Sequence, residues 1–95
     1  MIFDNIDGLQ GILKINSLND YPQIEELLAP AAESVIAESV GPEWVKNNEN
    51  DPAVKQLMCA LIASWFEKPE AFGELNAGCN FLISQLQARA LEVQA

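Results

Sequence analysis

The chain has 95 residues, with fourteen acids, five bases and no histidine, for a formal net charge of −9 at pH 7. That balance argues against direct binding to nucleic-acid phosphates and to anionic membrane surfaces, and without histidine no Ser–His nucleophilic triad can be built. An apolar share of 49% supports one modest core, so a single domain over residues 1–95 is expected, small enough to gain from association with copies of itself.

Cys59 and Cys79 are the two cysteines. Without histidine they fall short of the four ligands of a structural zinc site, and Cys59, inside an apolar helical run, reads as a small buried thiol. No run approaches the ~20 apolar residues of a membrane span. Met1-Ile2-Phe3 leads straight into Asp4, without the basic and apolar regions of a secretory leader. The expectation is a reduced, cytosolic protein with no cofactor, no metal and no membrane contact.

In chain order, Ile6, Leu9, Ile12, Leu13 and Ile15 suggest a short first helix, weakened by Gly8 and Gly11 at about 1 kcal/mol each relative to alanine. The stretch Asn16 to Asp20 reads as loop and cap. Asp20 then caps a second helix over about Tyr21 to Val40, with Pro22 in its first turn and Glu25 and Glu26 near the positive end of its dipole. Ile24, Leu27, Leu28, Ala31, Val35 and Ile36 make its apolar face. Pro30 removes the bond to the Glu26 carbonyl and should kink this helix; Gly41-Pro42 ends it.

Pro42 to Asp51 is polar apart from Trp44 and Val45 and reads as a loop. Asp51 with Pro52 starts a third helix, whose Val54, Leu57, Met58, Leu61, Ile62 and Trp65 form the cleanest apolar stripe in the chain, with Phe66 at its border. Glu67-Lys68-Pro69 must break it. A second loop covers about Pro69 to Gly73. The last helix starts near Glu74 or Leu75, with Cys79, Leu82, Ile83 and Leu86 on one face. Nothing alternates with period two for long, so the fold class is all-α: a small four-helix, bundle-like domain with a kinked second helix.

Chemistry is sparse. Glu25 with Glu26, or Glu67 with Glu70, could pair as acid and base, but in so acidic a chain they read as a solvated face. The run Asn48 to Pro52 has some look of a calcium loop yet lacks the central glycine and distal glutamate. No glycine-rich phosphate loop is present. Ser17 invites comparison with the phosphopantetheine serine of acyl carrier proteins; preceded by Asn16 and well before the helix signal, it reads instead as a capping serine. Trp44, an aromatic in a polar loop, is either a lid over the core or an anchor for a neighbouring subunit.

Taken in order, Leu13-Lys14-Ile15, the helix bearing Leu27, Leu28, Ala31, Ala32 and Ile36, and the helix closing on Trp65-Phe66-Glu67 after Pro52, Val54, Lys55, Leu61 and Ala63 form a pattern. With the terminal leucine helix around Phe81 to Gln87, it resembles the small head–tail connector, or DNA-packaging, proteins of long-tailed bacteriophages. The resemblance covers roughly residues 9 to 88. It implies a non-enzymatic subunit of a ring that docks beneath the portal protein and joins the DNA-filled head to a tail or head-completion protein. DNA would only pass through the lumen. The place of action would be the virion head–tail junction, and the host cytoplasm before assembly.

On that view Leu28, Ala31, Leu57, Leu61, Trp65 and Phe66 are core, and a head-to-tail ring needs two dissimilar patches. Trp44 and Val45 are expected on one side, Gln87 and Arg89 of the terminal helix on the other, and the Lys68-Pro69 turn as a further contact. An acidic helical module that mimics DNA toward a basic protein site is the alternative, and an acyl-carrier-like domain modified at Ser17 is a third.

Overall fold

Asp51 followed by Pro52 starts a helix in two ways at once. Proline at the first helical position has its φ already set and no N–H to satisfy, and the Asp51 carboxylate accepts from the Ala53 N–H at 2.9 Å. The longest uninterrupted apolar stripe in the chain follows. The computed structural model describes residues 2–94, with side chains described over 2–92. Among these every regular element is helical: α1 (Leu9–Leu13), α2 (Ala29–Val40), α3 (Pro42–Asn47), α4 (Pro52–Glu67) and α5 (Ala77–Gln94). The all-α class holds, with five helices in place of four.

α4 is the centre. Val54, Leu57, Met58, Leu61 and Ile62 are fully buried and Trp65 nearly so, each worth about 1.5–3 kcal/mol of apolar burial. α5, α2, α1 and an N-terminal 3-10 turn (Ile2–Asn5) all pack on it. The molecule measures 44 × 24 × 19 Å, so the core is one seam along α4. No polar or charged residue is buried among the described residues, and the seam gains its specificity from shape and from polar ties at its ends.

The first helix is shorter than its apolar pattern suggests. α1 ends where Lys14 turns left-handed at φ 59° and the Ile15 N–H reaches back to the Gln10 carbonyl at 3.0 Å, the six-to-one bond of a Schellman end. Leu9 and Leu13 are buried, while Ile12 is 49% exposed. Ahead of α1, Ile2 is fully buried, and the Phe3 N–H donates to the Glu33 carboxylate at 3.3 Å.

Pro30 disturbs the second helix in a definite form. Ile24–Leu28 is a π-helical turn that runs into α2, with the Ala29 N–H bonded to the Ile24 carbonyl five residues back. Pro30 has no N–H, and its ring would crowd the carbonyl four residues earlier; a widened turn relieves both problems. The extra residue resets the register. Ile24 stacks with Ala29, both fully buried, and Ala32, Ile36 and Val40 continue the stripe, while Leu27 is turned out to 52% exposure. The expected placement of Leu27 on the buried face is thereby corrected. Leu28 is buried as expected, and Ala31 only half-buried.

The segment read as a loop after Gly41 is helical. Gly41, at φ 124°, a value that favours glycine, joins α2 to α3. Pro42 opens α3, Glu43 stands in its first turn and Lys46 in its last, each on the side that the helix dipole favours. What holds so short a helix is tertiary: Trp44 (6% exposed) and Val45 (5%) pack into the core, and the Asn48 side-chain amide donates to the Trp44 carbonyl at 2.7 Å. α5 begins two or three residues later than its apolar pattern suggests, where the Asn76 carboxamide accepts from the Cys79 N–H at 2.9 Å, an N-cap.

Because Trp44 is part of the core, Trp44→Ala should lower unfolding stability by about 3 kcal/mol, measured by urea denaturation followed at the backbone. Unchanged stability would show that the indole contributes nothing to the fold.

Candidate functional site

Two clusters of polar and aromatic side chains mark the ends of α4, about 24 Å apart for sixteen residues at 1.5 Å each. At the start, Asp51 does more than cap. Both of its oxygens accept from the Arg89 guanidinium, one at 3.1 Å from Nη1 and the other closer, from Nη2. The fork-on-fork geometry is the strong form of this pair. Arg89 also lies over the Trp44 ring at 5.4 Å, a cation–π distance. Two residues earlier on α5, the Gln87 amide donates to the Ser39 carbonyl near the end of α2 at 2.7 Å. Gln87 and Arg89, expected to face a neighbouring subunit, are thus engaged within their own chain.

The electrostatics follow. The Arg89 hydrogen bonds hold the Asp51 carboxyl below its ordinary value near 3.8, with burial opposing and the Ala53 N–H assisting; Arg89 is pushed up by the same contact. The Cys59 thiol is pushed up by burial, against the pull of Lys55. Cys79 is pushed up likewise, against its Asn76 hydrogen bond. Both thiols are therefore poor nucleophiles near neutrality.

At the other end, the adjacent rings of Trp65 and Phe66 part company. Trp65 is buried, and its indole N–H donates to the Glu74 carbonyl at 3.0 Å. Phe72 tilts against it with centroids 5.2 Å apart. Phe66, half-buried, meets Tyr21 edge-on at 5.2 Å. Each ring fastens a different neighbour, one the turn that follows α4 and the other the approach to α2. Between them, Leu27, Leu28, Trp65, Phe66, Pro69 and Phe72 line an apolar groove of about 190 Å³, with Gln23 at its edge. Lys68 and Pro69, expected as a contact, are exposed beside it. On the far side of the turn, a polar hollow is lined by Ser64, Glu67, Lys68 and Glu74.

The remaining sequence candidates are placed as follows. Leu57 and Leu61 are core. Trp44 and Val45 are buried, so Trp44 is a lid over the core and offers no exposed anchor; its helix turns inward because that covers the seam between α2 and α5. Ser17 accepts from the Asn19 N–H at 3.2 Å and caps a 3-10 turn, Leu18–Asp20, ahead of the π turn. Glu25, Glu26, Glu67 and Glu70 are exposed. Among the described residues, no group of three His, Cys, Asp or Glu side chains could hold a metal, and no helix is long and apolar enough to cross a membrane.

Exposed apolar residues complete the picture: Ile12 (49%), Leu27 (52%), Phe72 (43%), Phe81 (63%) and Leu91 (67%). Phe81 is two residues on from buried Cys79, so it points about 200° away from it. Helical periodicity would have found Phe81 on the outer face of α5; only the π turn reveals Leu27. Comparison with family models, curated proteins and solved structures finds no match to this chain.

Two predictions separate these ties. The folded-state pKa of Asp51 lies below its unfolded value, so the stability from the ion pair is present above about pH 4 and lost as pH falls through the folded pKa. Asp51→Asn, which keeps a capping oxygen, should unfold at lower urea than the parent at pH 7 and converge with it in strong acid. Asp51→Ala should cost about 1 kcal/mol more, from the lost cap. A pH-independent gap between parent and Asp51→Asn would remove the ion pair from the account.

Trp65→Phe keeps a ring in the core but deletes the bond to Glu74. Amide exchange at Ala71, Phe72 and Glu74, whose N–H groups close the turn, should quicken several-fold, in line with about 1 kcal/mol for one hydrogen bond. Exchange in the middle of α4 should not change.

Proposed function

We propose that this chain is a non-enzymatic assembly protein, and in particular a head–tail connector subunit of a long-tailed bacteriophage. The observation that carries the proposal is that the core closes without Leu27, Phe72, Phe81 and Leu91. Leu27 and Phe72 border the groove at the end of α4 and Phe81 stands on the outer face of α5, two apolar surfaces that share no residue, while Leu91 lies beside the end of α2 with Val40 and Gln87. A connector subunit must touch copies of itself and at least one different protein, which calls for dissimilar patches of this kind.

Two further features favour the reading. The exposed acids and the net charge of −9 suit a lumen wall along which DNA slides without sticking. The ordered sequence pattern also favours it. Leu28, Leu57, Leu61 and Trp65 build the core, and the aromatic pair closing α4 sets the direction of the turn that follows. The outer face of α5, with Phe81, is assigned to the contact between copies, in place of the Trp44 segment.

The test is genetic and visual. A nonsense mutation in the gene, made in the phage or prophage that carries it, should yield DNA-filled heads and free tails that do not join, seen by electron microscopy of lysates. Restoring the gene should restore joined particles, and a Phe81→Ser copy should restore far fewer. Normal virions from the nonsense mutant would overturn the connector reading and leave the acidic, DNA-mimicking binding module as the better account.

A further inference from the structure

The groove at the end of α4 exists because of the π turn. With α-helical spacing, Leu27 would share the face of Ile24, Leu28 and Ala31 and help to fill the core. The extra residue of Ile24–Leu28 sends Ile24 and Ala29 inward and leaves Leu27 standing on one wall. Phe72, held against Trp65, stands on the other wall, and Trp65 and Phe66 form the floor. The volume of about 190 Å³ slightly exceeds the cavity of about 150 Å³ that accepts benzene, so it fits one bulky apolar side chain. π turns within helices concentrate at functional sites, and this one, which accommodates Pro30, also leaves Leu27 exposed.

Charge decides what brings that side chain. Glu26 precedes Leu27 and Glu70 follows Pro69, both exposed, while Glu67 and Lys68 line the hollow on the far side of the turn. A second copy, itself at −9, would meet this rim with the same sign and be disfavoured. A segment carrying lysine or arginine would be drawn to it, and its neighbours would keep their charges in water at the rim.

We propose that the groove docks a basic segment of a different protein, with one bulky apolar side chain between Leu27 and Phe72 and flanking lysines or arginines against Glu26 and Glu70. This goes beyond the connector reading and rests on the groove and its charge alone, so the two stand or fall by different experiments.

The probe is a synthetic peptide with one phenylalanine flanked on both sides by lysines, titrated into the full chain labelled with ¹⁵N. The indole N–H signal of Trp65 should shift, while that of Trp44 at the opposite end of α4 stays in place. Replacing the phenylalanine by alanine, or the lysines by glutamates, should weaken binding at least tenfold. Leu27→Ser and Phe72→Ser change exposed positions and should each weaken it several-fold; Glu26→Lys with Glu70→Lys should do so without touching the groove walls.

Equal binding of the peptide without phenylalanine would mean diffuse charge attraction and overturn the proposal. So would shifts centred on Trp44, indifference to all the variants, or no binding at all. A dimer in light scattering that Leu27→Ser dissolves would assign the groove to a second copy instead.

Discussion

Burial of one face of α4 is the constraint on which the rest of this molecule depends. Six apolar side chains from Val54 to Trp65 are withdrawn from water on a single helix, and α1, α2, α5 and the N-terminal 3-10 turn are placed so as to cover them. With so few residues there is no second layer, so each covering element counts. The six-residue α3 is retained only because Trp44 and Val45 close one side of the seam. An isolated helix of that length would not persist in water.

Apolar contact is non-directional, and an all-apolar seam would tolerate sliding. The ties at the two ends of α4 remove that freedom. Asp51 and Arg89, with Gln87 on Ser39, fix α5 along its length relative to the start of α4 and the end of α2. Trp65 on Glu74 fixes the angle at which the chain leaves α4. Directional hydrogen bonds at the rim thus supply what the core lacks, at partly exposed positions where water can satisfy the same groups when the contact opens.

The surface that results is acidic, with apolar exceptions. Leu27 and Phe72 border a groove, Phe81 stands on the outer side of α5, Leu91 lies beside the end of α2, and Ile12 is exposed on α1. In a protein whose core is limited by its size, bulky side chains left outside are a reserve for association. The proposed roles follow from how charge and apolarity combine in each patch. The outer face of α5 serves contact between copies, and the acid-rimmed groove takes a basic partner.

The sequence by itself determined the helical class, the position of α4 and most of its core, because a 3.6-residue stripe bounded by Asp-Pro and Lys-Pro depends on local geometry alone. Leu57, Leu61 and Trp65 were legible in that way, as was the disturbance at Pro30. Only the tertiary structure decided that the disturbance is a π turn exposing Leu27, since proline rules out one bond without choosing its replacement. The same holds for the inward turn of α3, where Pro42, Glu43 and Lys46 carried a weak local signal. Arg89 and Asp51 are 38 residues apart, and such a pairing has no periodicity to announce it. It exists because the packing of α5 on α4 brings a guanidinium within reach of a cap.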